Sequence, residues 1–318
     1  MNVSVIIPNY NGAELLKNNI PQVIKALEDY KDGLVELIVP DDASKDNSLE
    51  ILKILQKKYK NSKTFTFKVI ESPFKINGGF SANVNRGVSY ATGDLLLLLN
   101  SDVIPHKNFI NFLLPHFKDS NVFAVGCMDE SIEEGKIVLR GRGTGAWGKG
   151  FVVHKKLDTN GSSTFWVSGG SSIFRKSIWD KIGGLNNIYN PFYWEDIDLS
   201  YRAQKAGYKV IFEPKSRVIH EHEKGSIKTS ASVSKVTTTA YRNQFFFVWL
   251  NITDLNLIFS HLAWLPYHIL IALKNRNKEF LNGFWAALLK LPVVLLERNK
   301  NKKLFTLSDE DVLKSQSK

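Results

Sequence analysis

The sequence predicts an α/β fold, a mostly parallel central sheet followed by a C-terminal helical appendage, and three observations predict it. Short apolar runs alternate with helix-spaced segments through the first hundred residues, the pattern of a parallel sheet with right-handed crossovers. One of those runs, Leu95–Leu99, is five consecutive leucines. It is too short to span a membrane and suits a strand buried on both faces. Beyond Lys224 the composition changes to a polar Ser/Thr-rich stretch and then to long segments with almost no charge.

Taken in order, Val3–Ile7 reads as a first strand and Ala13–Tyr30 as a helix, with Leu15, Leu16, Ile20, Val23, Ile24 and Leu27 at helical spacing. Leu34–Val39 is a second strand. Asn47–Tyr59 is a helix with Asp46 as its N-cap. Phe65–Ile70 is a third strand, Ser81–Ala91 a helix and Leu95–Leu99 the fourth strand. Phe109–Phe117 looks helical and Val122–Met128 strand-like. Gly135–Gly150 carries six glycines and reads either as a surface hairpin or as a mobile flap over a site. Phe165–Arg175, Ile178–Ile182 and Glu195–Ala206 supply a strand and two helices, with Gly207 a C-cap. Val210–Phe212 and Arg217–His220 are two short strands. The expected division is residues 1–225, a helical region over 226–305 and a polar tail over 306–318.

A hydrophobic share of 43% and a charged share of 23% belong to an ordinary globular protein with a sizeable core. The single cysteine, Cys127, excludes an intrachain disulfide and a multi-cysteine metal site and fits a reducing compartment. It sits in a strand-like apolar run and is expected to be buried. The start of the chain has no basic n-region or cleavage site and reads as a strand rather than a signal peptide. The formal net charge of +11 suits nucleic acid, anionic lipid or phosphorylated ligands. Against that excess of bases, acids cluster at Asp41-Asp42, at Asn100-Ser101-Asp102 and at Glu195-Asp196-Ile197-Asp198. The first two clusters follow strand-like runs, where open α/β sheets bind ligands. They suggest a bound cation or a proton to be moved.

Several of these segments, in this order, resemble family 2 glycosyltransferases: Val3–Gly12, Val39–Ser48, Asn77–Gly87, Leu96–Asp102, Trp194–Arg202 with Gly207, and Val218-Ile219-His220. The resemblance spans about Val3 to Ser226 and implies the GT-A fold, a nucleotide-binding α/β domain. It also implies a nucleotide-sugar donor, UDP- or dTDP-linked, and a saccharide or lipid-linked acceptor in surface-polysaccharide synthesis, as in rhamnosyltransferase-like members. On the donor side, Asp42 would read the nucleobase in a pocket lined by Pro8 and Asn9, and Asp41 would orient the loop or contact ribose. Asn77, Gly78, Gly79 and Asn83 would shape the diphosphate side, and Arg86 would pair with phosphate or with surface acids. Asn100 stands where the family has the first acid of Asp-x-Asp, which removes one charge from that motif; Ser101 follows it on the donor side.

A departing diphosphate needs neutralising, and a hard divalent ion with oxygen ligands does this. Asp102 is the expected ligand of Mn²⁺ or Mg²⁺, with His220 the second and His222 its competitor two residues on. The acceptor hydroxyl must lose a proton, and the resemblance makes Asp196 the catalytic base. Glu195 would bind a sugar hydroxyl, Trp194 would stack on a sugar ring or pack, and Gly169 and Gly170 would form the acceptor-side turn. Asp198 reads as helix structure facing Arg202 at i+4.

The C-terminal third has no motif. Leu255–Leu273 is long enough to be weighed as a span, but Asn256, His261, Pro266 and His268 argue against one. Aromatic residues beside clustered Lys and Arg suit helices lying in a membrane interface; a buried helical domain or a dimer contact is the alternative. The expected location is the cytoplasm, at the inner face of the cell membrane. Two rival readings are a non-catalytic nucleotide-sugar-binding scaffold, for which Asn100 is the support, and a basic nucleic-acid-binding protein, for which no motif is found.

Overall fold

The computed structural model describes residues 1–28, 30–221 and 232–314. Its first half is the expected alternation. Strands β1 (Val3–Ile6), β2 (Val35–Asp41), β3 (Phe65–Glu71) and β4 (Leu95–Leu99) pair in parallel in the order β3-β2-β1-β4. Helices α1 (Ala13–Leu27), α2 (Ser48–Tyr59) and α3 (Phe80–Ser89) make the connections. Every leucine of β4 is fully buried, because both faces of the strand are covered. Leu95, Leu97 and Leu99 pack in the same cluster as α1 and α2, while Leu96 and Leu98 pack with Val84 and Val88 of α3. Burial on that scale stabilises by roughly 1.5–3 kcal/mol per leucine. Asp46 accepts from the Ser48 backbone N–H at 3.0 Å and so satisfies a free donor at the start of α2, although Asn47 holds the cap position.

Past β4 the sheet becomes mixed. β10 (Ser171–Arg175) runs antiparallel to both β4 and β6 (Val122–Glu133). β11 (Lys209–His220) lies parallel to β6, and β5 (Val103–Pro105) pairs antiparallel with β11 at the sheet edge. β7 (Lys136–Arg140) folds back on β6 as a hairpin. The two short strands expected over 210–220 are thus one strand, with a register shift between Glu213 and Arg217 that spans Pro214. The strand expected over Phe165–Arg175 is only its last five residues. α4 (Phe109–Leu113) continues as a 3-10 turn over Leu114–Lys118. Cys127 is buried, as expected, and burial pushes its thiol up to about 12.

A second sheet is the hairpin of β8 (Gly143–Gly148) and β9 (Phe151–Lys156). A Cβ at Gly143 or Gly145 would overlap the rings of Trp166 and Phe165, so these glycines let two aromatic rings pack closely on the hairpin. From Gly143 on, the glycine-rich segment is therefore a packed hairpin rather than a free flap, while Gly135 sits in the turn between β6 and β7. α5 (Lys176–Ile182) and α6 (Glu195–Lys205) follow, and Gly207, at φ +86°, ends α6 as expected.

Five helices complete the described chain: α7 (Val233–Asn251), α8 (Leu255–Lys274), α9 (Lys278–Leu289), α10 (Leu291–Lys302) and α11 (Asp309–Lys314). They do not form a separate core. Phe245, Phe246, Phe247 and Leu250 of α7 pack in one cluster with Phe165, Tyr189, Trp194 and Tyr201. The segment expected as a polar tail is docked as far as Lys314. Asp309 is fully buried against the equally buried Lys205 of α6 at 2.7 Å, and it accepts from the Tyr201 hydroxyl and the backbone N–H groups of Thr253 and Asp254. Such a pair persists only when hydrogen bonds satisfy it on every side. α8 is long and apolar enough to cross a membrane, and its outer face is exposed at Leu255, Phe259, Leu262 and Leu270. α9 and α10 meet at a 68° bend.

Candidate active site

The carboxyl ends of β1, β2 and β4 meet on one rim of the sheet, and the sequence-predicted residues collect there. Asn9 bridges to Asp41, and its side-chain amide donates to Asp41 at 2.7 Å and to Ser44 at 3.2 Å. Asp41 also accepts from the Ser44 N–H and hydroxyl, so both of its oxygens hold the loop in shape. That favours the loop-orienting role over contact with ribose. Asp42 is buried and accepts from the backbone N–H groups of Gly78 and Gly79, each at 2.9 Å, with Arg86 at 3.4 Å. The carboxylate expected to read a nucleobase is thus committed to the protein in this conformation.

Arg86 faces Asp42, the Asp41 carbonyl and Asn83, so it pairs with an acid rather than standing open for phosphate. Asn83 donates in turn to the carbonyls of Asn9 and Pro40. These buried side chains stitch the strand ends together. Pro8 is half-buried at the same rim, and Asn77 is exposed, its amide oxygen accepting from the Gly79 N–H.

The segment after β4 turns sharply. The Asn100 N–H donates to the Gly170 carbonyl at 2.9 Å, and Ser101 is fixed through its carbonyl by Asn19. Gly170 has to be glycine, because a Cβ there would overlap the Asn100 side chain. Asp102 is buried, with one oxygen 3.3 Å from Nε2 of His220. Nδ1 of His220 lies 2.8 Å from Asp129 on β6. Burial pushes the His220 imidazole down, but the two carboxylates outweigh it and hold the group up at about 9. His222, the competing ligand, lies outside the described residues.

The donor set suits a divalent ion. An imidazole whose far nitrogen is fixed by a carboxylate presents the near nitrogen to a metal. Two ligands on neighbouring positions of an octahedral ion at 2.0–2.1 Å sit about 3 Å apart, close to the Asp102–His220 spacing. Among the described residues no group of three or more His, Cys, Asp or Glu could enclose a metal, so an ion held here would need oxygen ligands from a substrate or water. Asp129 was not evident in the sequence.

On the acceptor side, Tyr193 and Trp194 both take left-handed backbone conformations (φ +72° and +75°), rare for aromatic residues and a store of local strain. The double turn separates their rings. Trp194 is buried against His154 and Phe247, with ring centroids 5.2 Å away in each case, and has no face for a sugar; it packs. Tyr193 is 41% exposed. Glu195 and Asp196 then open α6. Glu195 is buried, and its Oε2 has no hydrogen-bond partner. Asp196 is half-buried and accepts from the Ile197 N–H at 2.8 Å and from the backbone of Gly169. Burial raises both carboxyls well above the ordinary range, and for Glu195 the neighbouring Asp196 charge adds to it. Asp198 is structural, as expected: fully buried, it binds Arg202 at 2.7 Å, the Tyr189 hydroxyl and Asn251.

The Gly169–Gly170 turn joins the two sides, since Gly170 seats Asn100 and Gly169 touches Asp196. Asn190 makes a second link: its side chain accepts from the Ser81 N–H and donates to the Gly78 carbonyl. The fully buried Asn243 of α7 donates to the carbonyls of Tyr189, Phe192 and Tyr193, fixing the strained loop in place. Mid-helix in a polar run, it carried no sequence signal.

This rim, with Asp102 and His220 beyond β4 and an acid pair at the start of α6, lies on a sheet of the GT-A type. The chain belongs to glycosyl transferase family 2: that family model matches residues 4–183, and the model for glycosyl transferase family group 2 matches residues 95–273. The chain is 28% identical over 152 residues to the pre-mycofactocin glycosyltransferase of Mycobacterium tuberculosis, covering 45% of this chain and 30% of that protein. It is 25% identical over 224 residues to the O-antigen chain rhamnosyltransferase WbaN of Salmonella anatum, covering 69% and 66%. The match to the poly-beta-1,6-N-acetyl-D-glucosamine synthase of Staphylococcus aureus covers 48% of that protein, so the chain spans half or less of some of the relatives it matches. Among solved structures, S. aureus TarS 1-349 in complex with UDP-GlcNAc superposes with a TM-score of 0.57 over 99% of this chain and 91% of that one, at 15% identity. GalNAc-T7 with UDP, GalNAc and Mn2+ gives 0.60 over 79% and 48%, at 20% identity.

Proposed function

We propose that the chain is an inverting, divalent-metal-dependent glycosyltransferase. It moves a sugar from a UDP- or dTDP-sugar to a saccharide or lipid-linked acceptor in surface-polysaccharide synthesis. One observation carries this: a half-buried carboxylate with raised basicity, Asp196, shares the Gly169–Gly170 turn with the segment that presents Asp102. In the reaction the acceptor oxygen attacks the anomeric carbon from the face opposite the diphosphate. The new C–O bond forms as the bond to the diphosphate oxygen breaks, and the bonding pair leaves with the nucleoside diphosphate. Asp196 takes the acceptor proton. Its raised pKa brings it closer to working pH, where a general base is most effective. Asp102 and Nε2 of His220 would hold Mn²⁺ or Mg²⁺, which when bound supplies charge neutralisation for the departing diphosphate. Glu195, with an oxygen unpartnered inside the protein, is suited to accept from a sugar hydroxyl.

In this reading the work takes place at the inner membrane surface. The exposed Leu255, Phe259, Leu262 and Leu270 of α8 and Trp285 and Leu289 of α9 lie beside exposed Lys274, Arg276, Lys278 and Lys290. An apolar face flanked by bases suits an interface of anionic lipid. Thermal denaturation with a panel of nucleotide sugars, with and without Mn²⁺, tests the donor assignment. A ligand at a hundred times its Kd stabilises by about 2.7 kcal/mol, so the donor is expected to raise Tm, and more with the metal. No response to any UDP- or dTDP-sugar would contradict it.

A further inference from the structure

A cavity of about 530 Å³ opens between the β8–β9 hairpin and helices α7, α8 and α9. Its walls are largely apolar: Phe151 and Val153 from the hairpin, Tyr241 from α7, Ile271 and Ala272 from α8, and Phe280 from α9. The volume is in the range of small-molecule sites. Ile271 lines the cavity and is itself 38% exposed, next to exposed Leu270 on the outer face of α8. An apolar chain could therefore pass from that face into the cavity without leaving apolar surroundings.

A cation is fixed at the mouth. Lys149, at the hairpin tip, borders the cavity, and its ammonium lies 5.9 Å from the ring centroid of Trp264 and 5.8 Å from that of Tyr267. It has no carboxylate partner among the described residues. Its backbone is clamped to α8: His268 donates to the Lys149 carbonyl and His261 to the Gly150 carbonyl, each at 2.7 Å, and Trp147 donates to Ser260 at 3.1 Å. The walls also reach the active site. Tyr241 and Gln244 face the cavity, while Arg242 and Asn243 between them hold the 189–193 loop. Val153 lines the cavity, and the next residue, His154, packs on Trp194.

We propose that this cavity seats the apolar chain of an anionic membrane amphiphile, the lipid part of the acceptor, with its charged head against Lys149. The assignment rests on the lipid-linked-acceptor reading above. The probe is dodecyl phosphate below its micellar concentration, titrated calorimetrically into the full chain. One molecule per chain is expected to bind, and at least tenfold more tightly than inorganic phosphate. Val153→Trp, which fills the cavity from a partly exposed position, is expected to weaken binding at least tenfold. Lys149→Glu is expected to weaken dodecyl phosphate about tenfold while leaving dodecyl maltoside, the same chain without the charge, unchanged. The proposal is overturned by an absence of saturable binding, or by binding of many molecules that Val153→Trp does not alter, which is adsorption to the outer face of α8. It is equally overturned by a dimer that Val153→Trp dissociates, which would make a second copy the occupant. Nucleotide-sugar binding on the same preparation separates the two readings. Amphiphile bound without any donor sinks the UDP- or dTDP-sugar assignment and leaves the cavity an amphiphile site; donor bound without amphiphile sinks the cavity alone.

Discussion

Two pairs of neighbouring acids frame the site, and they are treated in opposite ways. Asp41 and Asp42, at the end of β2, are buried and fully engaged: Asp41 by Asn9 and Ser44, Asp42 by the N–H groups of Gly78 and Gly79 and by Arg86. At the start of α6, Glu195 has an oxygen with no partner, Asp196 is held by backbone donors alone, and burial raises both. The first pair has spent its hydrogen bonds on the shape of the rim beyond β2. The second retains capacity that a substrate can use. An acid that is satisfied in the free protein builds a site, and one that is not is available to bind or react.

The largest expected effect follows from the second pair. Asp196→Asn keeps the size of the side chain and removes the base, so kcat for transfer should fall by about 10²–10⁴, with donor affinity and Tm little changed. A variant that retained wild-type turnover would put the reacting acid elsewhere. If Asp196 is the base, the acid limb of the wild-type pH profile should lie above the ordinary carboxylate range, because the group would act ionised and burial raises its pKa. Next in size is Asp129→Asn. Asp129 touches His220; in the proposed metal-dependent reading it would be a positioning residue, and loss of such a partner costs roughly 10–100-fold in metal affinity. Titration of Mn²⁺ against donor-dependent activity reads this directly, and kcat at saturating Mn²⁺ should recover. A loss that saturating metal does not restore would mean that Asp129 serves the fold alone.

The contrast between the acid pairs was only partly legible in the sequence. Periodicity located β1 to β4 and α1 to α3, because their patterns report burial that each element largely decides for itself. The five leucines of β4 could lie only between two covered faces, and Asp198 could be paired with Arg202 from helix spacing alone. What escaped depends on partners distant in the chain. Asp129 matters because β11 brings His220 to it, 91 residues away. Asp309 sits in a segment polar enough to read as a tail, yet Lys205, Tyr201 and two backbone N–H groups bury it. Trp194 could equally stack or pack until two left-handed residues in succession turned its ring inward and that of Tyr193 outward. Sequence could show where acids stand and which had a partner one helical turn away, but not which had partners distant in the chain.

The smallest effect separates the two pairs by sign. Asp42→Ala leaves the buried Gly79 N–H and the part-buried Gly78 N–H short of an acceptor and should destabilise the fold by about 1–3 kcal/mol, read as a lower denaturation midpoint. Glu195→Gln should move it the other way. The folded-state pKa of Glu195 is raised, so the unfolded chain ionises first as pH increases. The wild-type fold therefore loses stability from the ordinary carboxylate range upward until the folded-state pKa is passed. Glutamine removes that penalty. The gain should be on the order of 1 kcal/mol at pH 8 and absent below pH ~4, where the carboxyl is protonated in both states. Equal losses in both variants at every pH would mean that Glu195 is as fully satisfied as Asp42, and the distinction between building acids and available acids would fail for this site.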